Sequence, residues 1–243
     1  MKGIKKMNDP KQEIITLLAQ IEKGELPACS AWALIQNIKK DYVLKLGQSS
    51  WNSFIGHRFQ ALIHAILLDY TKKIVASNEE YGGLTILTEN EVKKNEILSR
   101  KLSIRYGDFF LCPDIDSVIA WINNKHPWES EILAIVSCKT SLRERIAQAC
   151  YWKLKLLSSD TQKNIKVFLA TTDNDNDFNI ELNTSKKKKK INFNGKSRDR
   201  IIAEYELDGV YIFKDDFMKE YEDDKVKMFE NIFDDIVQIL KNL

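Results

Sequence analysis

In the first part of the chain, apolar side chains recur at the three-and-four spacing of helices with one buried face. Ile14, Leu17, Leu18 and Ile21 form one set, and Trp32, Ile35 and Ile38 resume it after Gly24 and Pro27. Residues 11–46 therefore predict two helices. Ser53 to Tyr70 predicts a third, with Phe59, Leu62, Ile63, Ile66 and Leu67 on its apolar side. Gly82-Gly83 marks a turn, and the strongly charged stretch 89–105 reads as helical again. The pattern then changes period. Phe109 to Trp121 alternates around Pro113-Asp114-Ile115-Asp116, and Ile132 to Cys138 is a continuous apolar run, as expected of a strand buried on both faces. The turn at Asn123-Asn124-Lys125-His126-Pro127 joins these two runs into a predicted hairpin.

Ser141 to Leu157 predicts a helix, with Ile146, Ala149, Cys150, Leu154 and Leu157 inward. Val167–Thr171 and Gly209–Phe213 read as two more buried strands, and 226–241 as a closing amphipathic helix. Between them, 173–200 is polar, rich in Asn and Lys and without periodicity, so it reads as a long loop. No internal repeat is present. Helices followed by strand, strand, helix, strand, loop, strand and helix describe an α/β protein with a mixed central sheet flanked by helices.

Composition adds bounds rather than chemistry. A chain of 243 residues, 44% hydrophobic and 30% charged, suits one α/β domain with a sizeable core. Residues 1–105 form its mainly helical N-terminal part and 106–243 the part carrying the chemistry. The net charge of +2 averages uneven blocks, notably the lysine run Lys186 to Lys190 and the acidic cluster between Asp215 and Asp224. That run is a solvated loop or a phosphate contact. Cys29, Cys112, Cys138 and Cys150 make no C-x-x-C pair, which argues against a zinc or disulfide framework. His57 and His64 lack a third ligand for zinc. Trp51, Trp121, Trp128 and Trp152 read as core or interface anchors. With no leader-like start and no long apolar segment, the expected location is the cytoplasm.

The chemistry gathers at two strand ends. If the predicted hairpin forms, Pro113-Asp114 and Ser137-Cys138-Lys139 meet at one edge of the sheet. A carboxylate beside a lysine suits metal-assisted phosphodiester hydrolysis: Asp114 holds Mg²⁺, and Lys139 orients water or stabilises developing charge. Asp116 shares a strand face with Asp114 and is a further candidate ligand. Each residue also has a plainer reading. Asp114 could be a turn residue, Lys139 a solvated strand end, and Ser137 a packing residue.

Together, Pro113-Asp114, the S-x-K of Ser137 to Lys139 and the K-T-S-L-R-E-R of Lys139 to Arg145 resemble the PD-(D/E)xK nucleases. Within them the likeness is to type II restriction endonucleases, in the branch reading CCGG- or CCNGG-centred sites with an R-(D/E)-R segment. The resemblance implies a homodimer that cleaves double-stranded DNA, with Mg²⁺ as cofactor. It implies catalytic roles for Asp114, Ser137 and Lys139, and a metal held by Asp114 and the Cys138 backbone carbonyl. It further implies DNA contacts from Thr140, Ser141, Arg143, Glu144 and Arg145. Arg grips guanine O6 and N7 and Glu accepts from cytosine N4, so the triplet can read adjacent G·C pairs. Gly56-His57-Arg58-Phe59-Gln60 is similar to the family's G-x-x-F-E segment, with Gln60 in the glutamate's place. Ser137 stands where the usual second acid would be, and Trp152 near the position from which some relatives supply it. Asp116, Gln60 and Gln148 are the remaining candidates. Ser141 to Glu144 also spells a helix capping box, which competes for the Glu144 carboxylate. A nuclease of the same fold without sequence preference, and a DNA-binding relative that does not cut, stay open.

Overall fold

The computed structural model describes residues 9–23, 25–26, 28–142, 145–180 and 195–242, without the side chains of residue 22 and residues 28–31. Three helices open the chain: α1 (Pro10–Glu22), α2 (Ala28–Leu46) and α3 (Gln48–Ser77). Asp9 caps α1, its side chain accepting from the Lys11 N–H, with Pro10 in the first turn where it needs no donor. The third helix extends beyond the predicted span at both ends. The helix–helix contact is aromatic: Trp32 packs against Phe59 at 5.1 Å between ring centroids, and both meet Phe213.

Strand β1 (Leu84–Leu87) leads into two short helices, α4 (Glu89–Lys94) and α5 (Glu96–Leu102). A small antiparallel pair, β2 (Ile104–Tyr106) and β3 (Phe109–Leu111), follows, turning at Gly107 with φ +61°. The predicted Phe109–Trp121 stretch thus divides: β3 belongs to this hairpin, and β4 (Ser117–Trp121) enters the main sheet. The chain continues through β5 (Glu131–Lys139), α6 (Arg145–Leu157), β6 (Lys166–Thr171), α7 (Arg198–Glu206), β7 (Gly209–Ile212), β8 (Val226–Met228) and α8 (Ile232–Leu240).

The main sheet runs β1-β4-β5-β6-β7-β8. β1, β4 and β5 pair antiparallel, and β5 through β8 parallel. The hairpin expected between 109–121 and 132–138 is the β4–β5 pair, with Asn123 closing the intervening turn by accepting from the Lys125 and His126 N–H groups. Gly83 is fixed by close approach: a Cβ there would stand 2.6 Å from the Trp121 ring where β1 meets β4.

Residues alternate between the two faces of the sheet. Ile119, Ala134, Val136, Cys138, Phe168, Ala170 and Tyr211 meet α1–α3 and α8. Val118, Ala120, Ile135, Val167, Leu169, Val210 and Ile212 meet the α4–α7 side. A bulge pairs Ile119 with Ala134 but Ala120 with Ile132, leaving Leu133 as the extra residue on the first face. Beyond the bulge, Ile135, Ser137 and Lys139 share the second face.

Other expectations change, and the stretch 89–105, read as helical, ends in strand β2. Leu154 and Leu157 point outward, both largely exposed. Helix α6 is described from Arg145, and Ser141 and Leu142 lie outside it. Residues 226–228 form an edge strand before the last helix. The polar 173–200 segment ends in the first turn of α7, whose N-cap is Ser197. Residues 181–194, including the lysine run, lie outside the described residues. Among the described residues no helix is long and apolar enough to cross a membrane.

Candidate active site

The site forms where the β4–β5 ladder stops. Ser117 pairs with Val136, so the residues just before β4 lie beside the C-terminal end of β5. The Asp116 N–H still donates to the Val136 carbonyl. After that the Asp116 side chain takes over from the backbone: its Oδ2 accepts the Cys138 N–H at 2.6 Å and Lys139 Nζ at 3.2 Å. From α3, Gln60 Nε2 donates to Oδ1 at 2.6 Å. Only 10% of each side chain of the Asp116–Lys139 pair is exposed. Burial raises the Asp116 carboxyl above the ordinary carboxylate range. Lys139 and the Cys138 N–H pull it down, and the charge of Asp114 adds to the rise.

Asp114 lies two residues earlier and is exposed. Its Oδ2 accepts from Gln148 Nε2 of α6 at 2.7 Å. Lys139 thus contacts Asp116, while Asp114 is tied to the helix after β5. Ser137 is half-buried and shares the face of Lys139, whereas the Cys138 side chain enters the opposite, helix-covered core. Gln60 and His64, one helical turn apart on α3, both reach this strand start. His64 Nδ1 lies 3.0 Å from Ser117 Oγ, and burial lowers its pKa. Sequence reading had no role for the His64–Ser117 contact. The signal was the i, i+4 spacing with Gln60.

The segment leading to α6 is partly described. Thr140 is buried, and its carbonyl accepts from Thr172 Oγ1 at 3.0 Å. Ser141 Oγ donates to Asp175 Oδ2 at 2.6 Å, across the loop that follows β6. Arg143 and Glu144, and with them the capping box, lie outside the described residues. Arg145 is exposed at the start of α6 and borders a groove of about 420 Å³. Lys39, Gln48 and Asn52 line the helical side of that groove, with Ser141, Asn174 and Asp175 opposite.

The donor set suits a hard divalent cation. Asp114 and Asp116 offer carboxylate oxygens, and Gln60 and Gln148 can present amide oxygens by turning their end groups. Mg²⁺ characteristically uses one or two carboxylates and completes its shell with water and substrate phosphate. Among the described residues no group of three or more His, Cys, Asp or Glu could hold a metal. The free thiols Cys112, Cys138 and Cys150 form no disulfide.

Residues 88–235 match the family model of the BsaWI restriction endonuclease, type 2. MjaVIP of Methanocaldococcus jannaschii, named as a type II restriction enzyme, is 36% identical over 217 residues, covering 86% of this chain and 85% of that protein. HpyAORF263P of Helicobacter pylori, also named as a type II restriction enzyme, is 34% identical over 140 residues, covering 57% of this chain and 68% of its own. Among solved structures, the restriction endonuclease PspGI in complex with substrate DNA aligns over 96% of this chain and 81% of its own, with 14% identity and a TM-score of 0.44. The matched span takes in β4, β5, α6 and the site residues other than those on α2 and α3, and the chain belongs to the BsaWI family of type II restriction endonucleases.

Proposed function

We propose that this enzyme cuts both strands of duplex DNA at a short, palindromic, G·C-containing site by Mg²⁺-dependent hydrolysis, acting as a homodimer. The observation that carries this reading is the Asp116–Lys139 pair, 3.2 Å apart at the sheet edge with Asp114 two residues away. Asp114, Asp116 and the Cys138 backbone carbonyl would hold the cation, with the amide oxygens of Gln60 and Gln148 as supporting donors. When bound, Mg²⁺ neutralises phosphate charge and lowers the pKa of a coordinated water.

The chain's own groups do the rest. Lys139 presents its ammonium where a scissile phosphate would lie, and it orients the attacking water or stabilises charge on the phosphate oxygens. Ser137, on the same face, supplies a hydroxyl where an acid is usual. Gln60 holds Asp116 against the end of β5, and Gln148 holds Asp114 against α6. Arg143, Glu144 and Arg145 read G·C pairs, supported by Thr140 and Ser141. A palindrome presents two equivalent phosphates, which a two-fold dimer meets with two equivalent sites.

The test is digestion of phage and plasmid DNA in Mg²⁺. The expected result is discrete fragments whose sequenced ends share one motif, abolished in Lys139→Ala. A smear, or ends without a shared motif, defeats sequence specificity. Serine at position 137 favours one rival, a DNA-binding relative that does not cut. Sequence-specific gel shifts without cleavage in either Mg²⁺ or Mn²⁺ would establish it.

A further inference from the structure

The outer face of α6 and the β2–β3 hairpin carry an apolar surface that the proposed chemistry does not use. On α6, Ala147, Tyr151 and Leu154 stand at i, i+4 and i+7, the spacing of a helix-pairing seam. All three are exposed, Tyr151 at 42% and Leu154 at 52%. Beside them, Phe109, Phe110 and Leu111 are 72%, 66% and 53% exposed. The two elements form one surface. Tyr106, paired with Phe109 across the hairpin, shares a 2.9 Å hydroxyl contact with Tyr151. Lys155 lies over both tyrosine rings, at 5.2 and 5.6 Å.

We infer that this surface is the interface between two copies of the chain, an inference that rests on the double-strand cleavage proposed above. Area supports a protein occupant. Phe109, Leu111, Tyr151 and Leu154 expose on the order of 400 Å² on the tyrosine side of the ribbon, the size of a monomer's largest and often functional patch, with Phe110 on the ribbon's other face beside Arg105. With a polar rim it approaches the roughly 800 Å² per partner of a stable complex. Composition supports a second copy over DNA, because the large exposed side chains are aromatic and aliphatic and only Lys155 and Arg105 among the residues named on this surface could meet phosphate. Geometry supports two-fold symmetry. Among the described residues the β2–β3 sheet has two strands, so β3 has an open edge there. Antiparallel pairing of β3 with its own copy is self-complementary, as an isologous interface requires. A two-stranded ribbon is marginal alone and gains most from such cover.

The interface would be coupled to the site. α6 carries Arg145 at its start and Gln148 against Asp114, within one turn of the seam. Pairing α6 with its copy therefore fixes the separation of two cation sites and two reading segments.

Sedimentation equilibrium of the full chain at micromolar concentration tests this, comparing wild type with Leu154→Arg and Phe110→Asp. The expected result is a wild-type dimer and a dimer dissociation constant at least about tenfold weaker in each variant, with far-ultraviolet circular dichroism unchanged. If either charge change unfolds the chain, Leu154→Ala and Phe110→Ser give the same comparison with smaller perturbations. A monomeric wild type, or variants that dimerise like wild type, overturns the inference. Variants that remain dimeric but lose DNA retention overturn it in favour of DNA as the occupant. Cleavage is scored separately. A dimer that these variants split but that never cuts DNA leaves the interface standing and removes the nuclease reading. A cutting enzyme whose variants stay dimeric removes the interface alone.

Discussion

At the residue scale, the Asp116 carboxylate joins two tasks that substitutions can separate. It completes the backbone ladder by accepting the Cys138 N–H, and it places negative charge beside Lys139. Asp116→Asn keeps an acceptor for the N–H and removes the charge. Its expected melting temperature is within a few degrees of wild type, with cleavage lowered about a hundredfold or more. Asp116→Ala also orphans the N–H, which adds roughly 1–3 kcal/mol of destabilisation. An Asn variant that cuts at the wild-type rate would remove Asp116 from the chemistry. Because the Asp114 charge contributes to raising the Asp116 carboxyl, Asp114→Asn should shift its titration to lower pH, measured by carboxyl ¹³C NMR on metal-free protein. An unmoved titration means that the two carboxylates do not interact. The sequence made an acid–lysine pairing legible but assigned it to Asp114, whereas the acid that contacts the lysine is Asp116. Asp114 and Asp116 share one face by the two-residue period, so alternation cannot choose between them. The long-range register of Ser117 on Val136 makes that choice.

At the element scale, the parts that sequence reading missed have buried faces that do not look apolar. α7 is built on Arg200, a fully buried side chain. Its guanidinium donates to Glu204 at 2.5 Å, to Asp223 at 2.8 Å, and to the carbonyls of Phe178 and Tyr221. A helix whose core position is an arginine offers no hydrophobic period to read. β1 and β8 are four and three residues long, too short for alternation to stand out. The long periodic helices and the buried runs at β5, β6 and β7 were legible because both of their faces, or one full stripe, are apolar. Arg200→Met should cost roughly 1–3 kcal/mol by removing this donor from the Phe178 and Tyr221 carbonyls and leaving the Glu204 and Asp223 carboxylates to Lys196, a drop of about 5 °C in melting temperature. Arg200→Lys should recover only part of this, since one ammonium cannot serve four acceptors held in a fork. Full rescue by lysine would show that charge alone is needed there.

The same loop region gives a pH dependence. Asp173, fully buried at φ +44°, accepts from the Asp177 and Phe178 N–H groups. Burial nonetheless lifts its carboxyl to about 6. The unfolded chain ionises near pH 3.8 and the folded chain near 6, so between those values the folded state binds the extra proton. Its contribution to stability is therefore complete below 3.8 and is lost as pH rises through 6, amounting to roughly 3 kcal/mol. Asparagine tolerates the same left-handed backbone, and Asp173→Asn should flatten this part of the stability curve. Denaturation midpoints between pH 4 and 7 measure it, and a variant retaining the wild-type slope assigns that slope to another group.

At the scale of the whole molecule, the two faces of the sheet contribute unequally to the proposed site, α3 lending Gln60 from one and β5 presenting Lys139 on the other. One face is sealed by α1–α3 and α8, while Ser137 and Lys139 look to the other, where α6 runs outward from the site. A single chain places one Asp116–Lys139 pair at one sheet edge, so the proposed active site, one per protomer, would serve one strand at a time. Cutting both strands then requires two intact sites in one assembly, and subunit mixing measures this directly. When wild-type chains are co-refolded with excess Lys139→Ala chains, most of the wild-type chains would enter mixed dimers, each with one working site. On supercoiled plasmid the mixed dimers should accumulate open-circular DNA, whereas wild type alone should pass to linear DNA with little nicked intermediate. If the mixture yields linear DNA in simple proportion to its wild-type content, each protomer cuts both strands unaided. The palindromic, two-site arrangement would then give way to one catalytic centre that turns over twice.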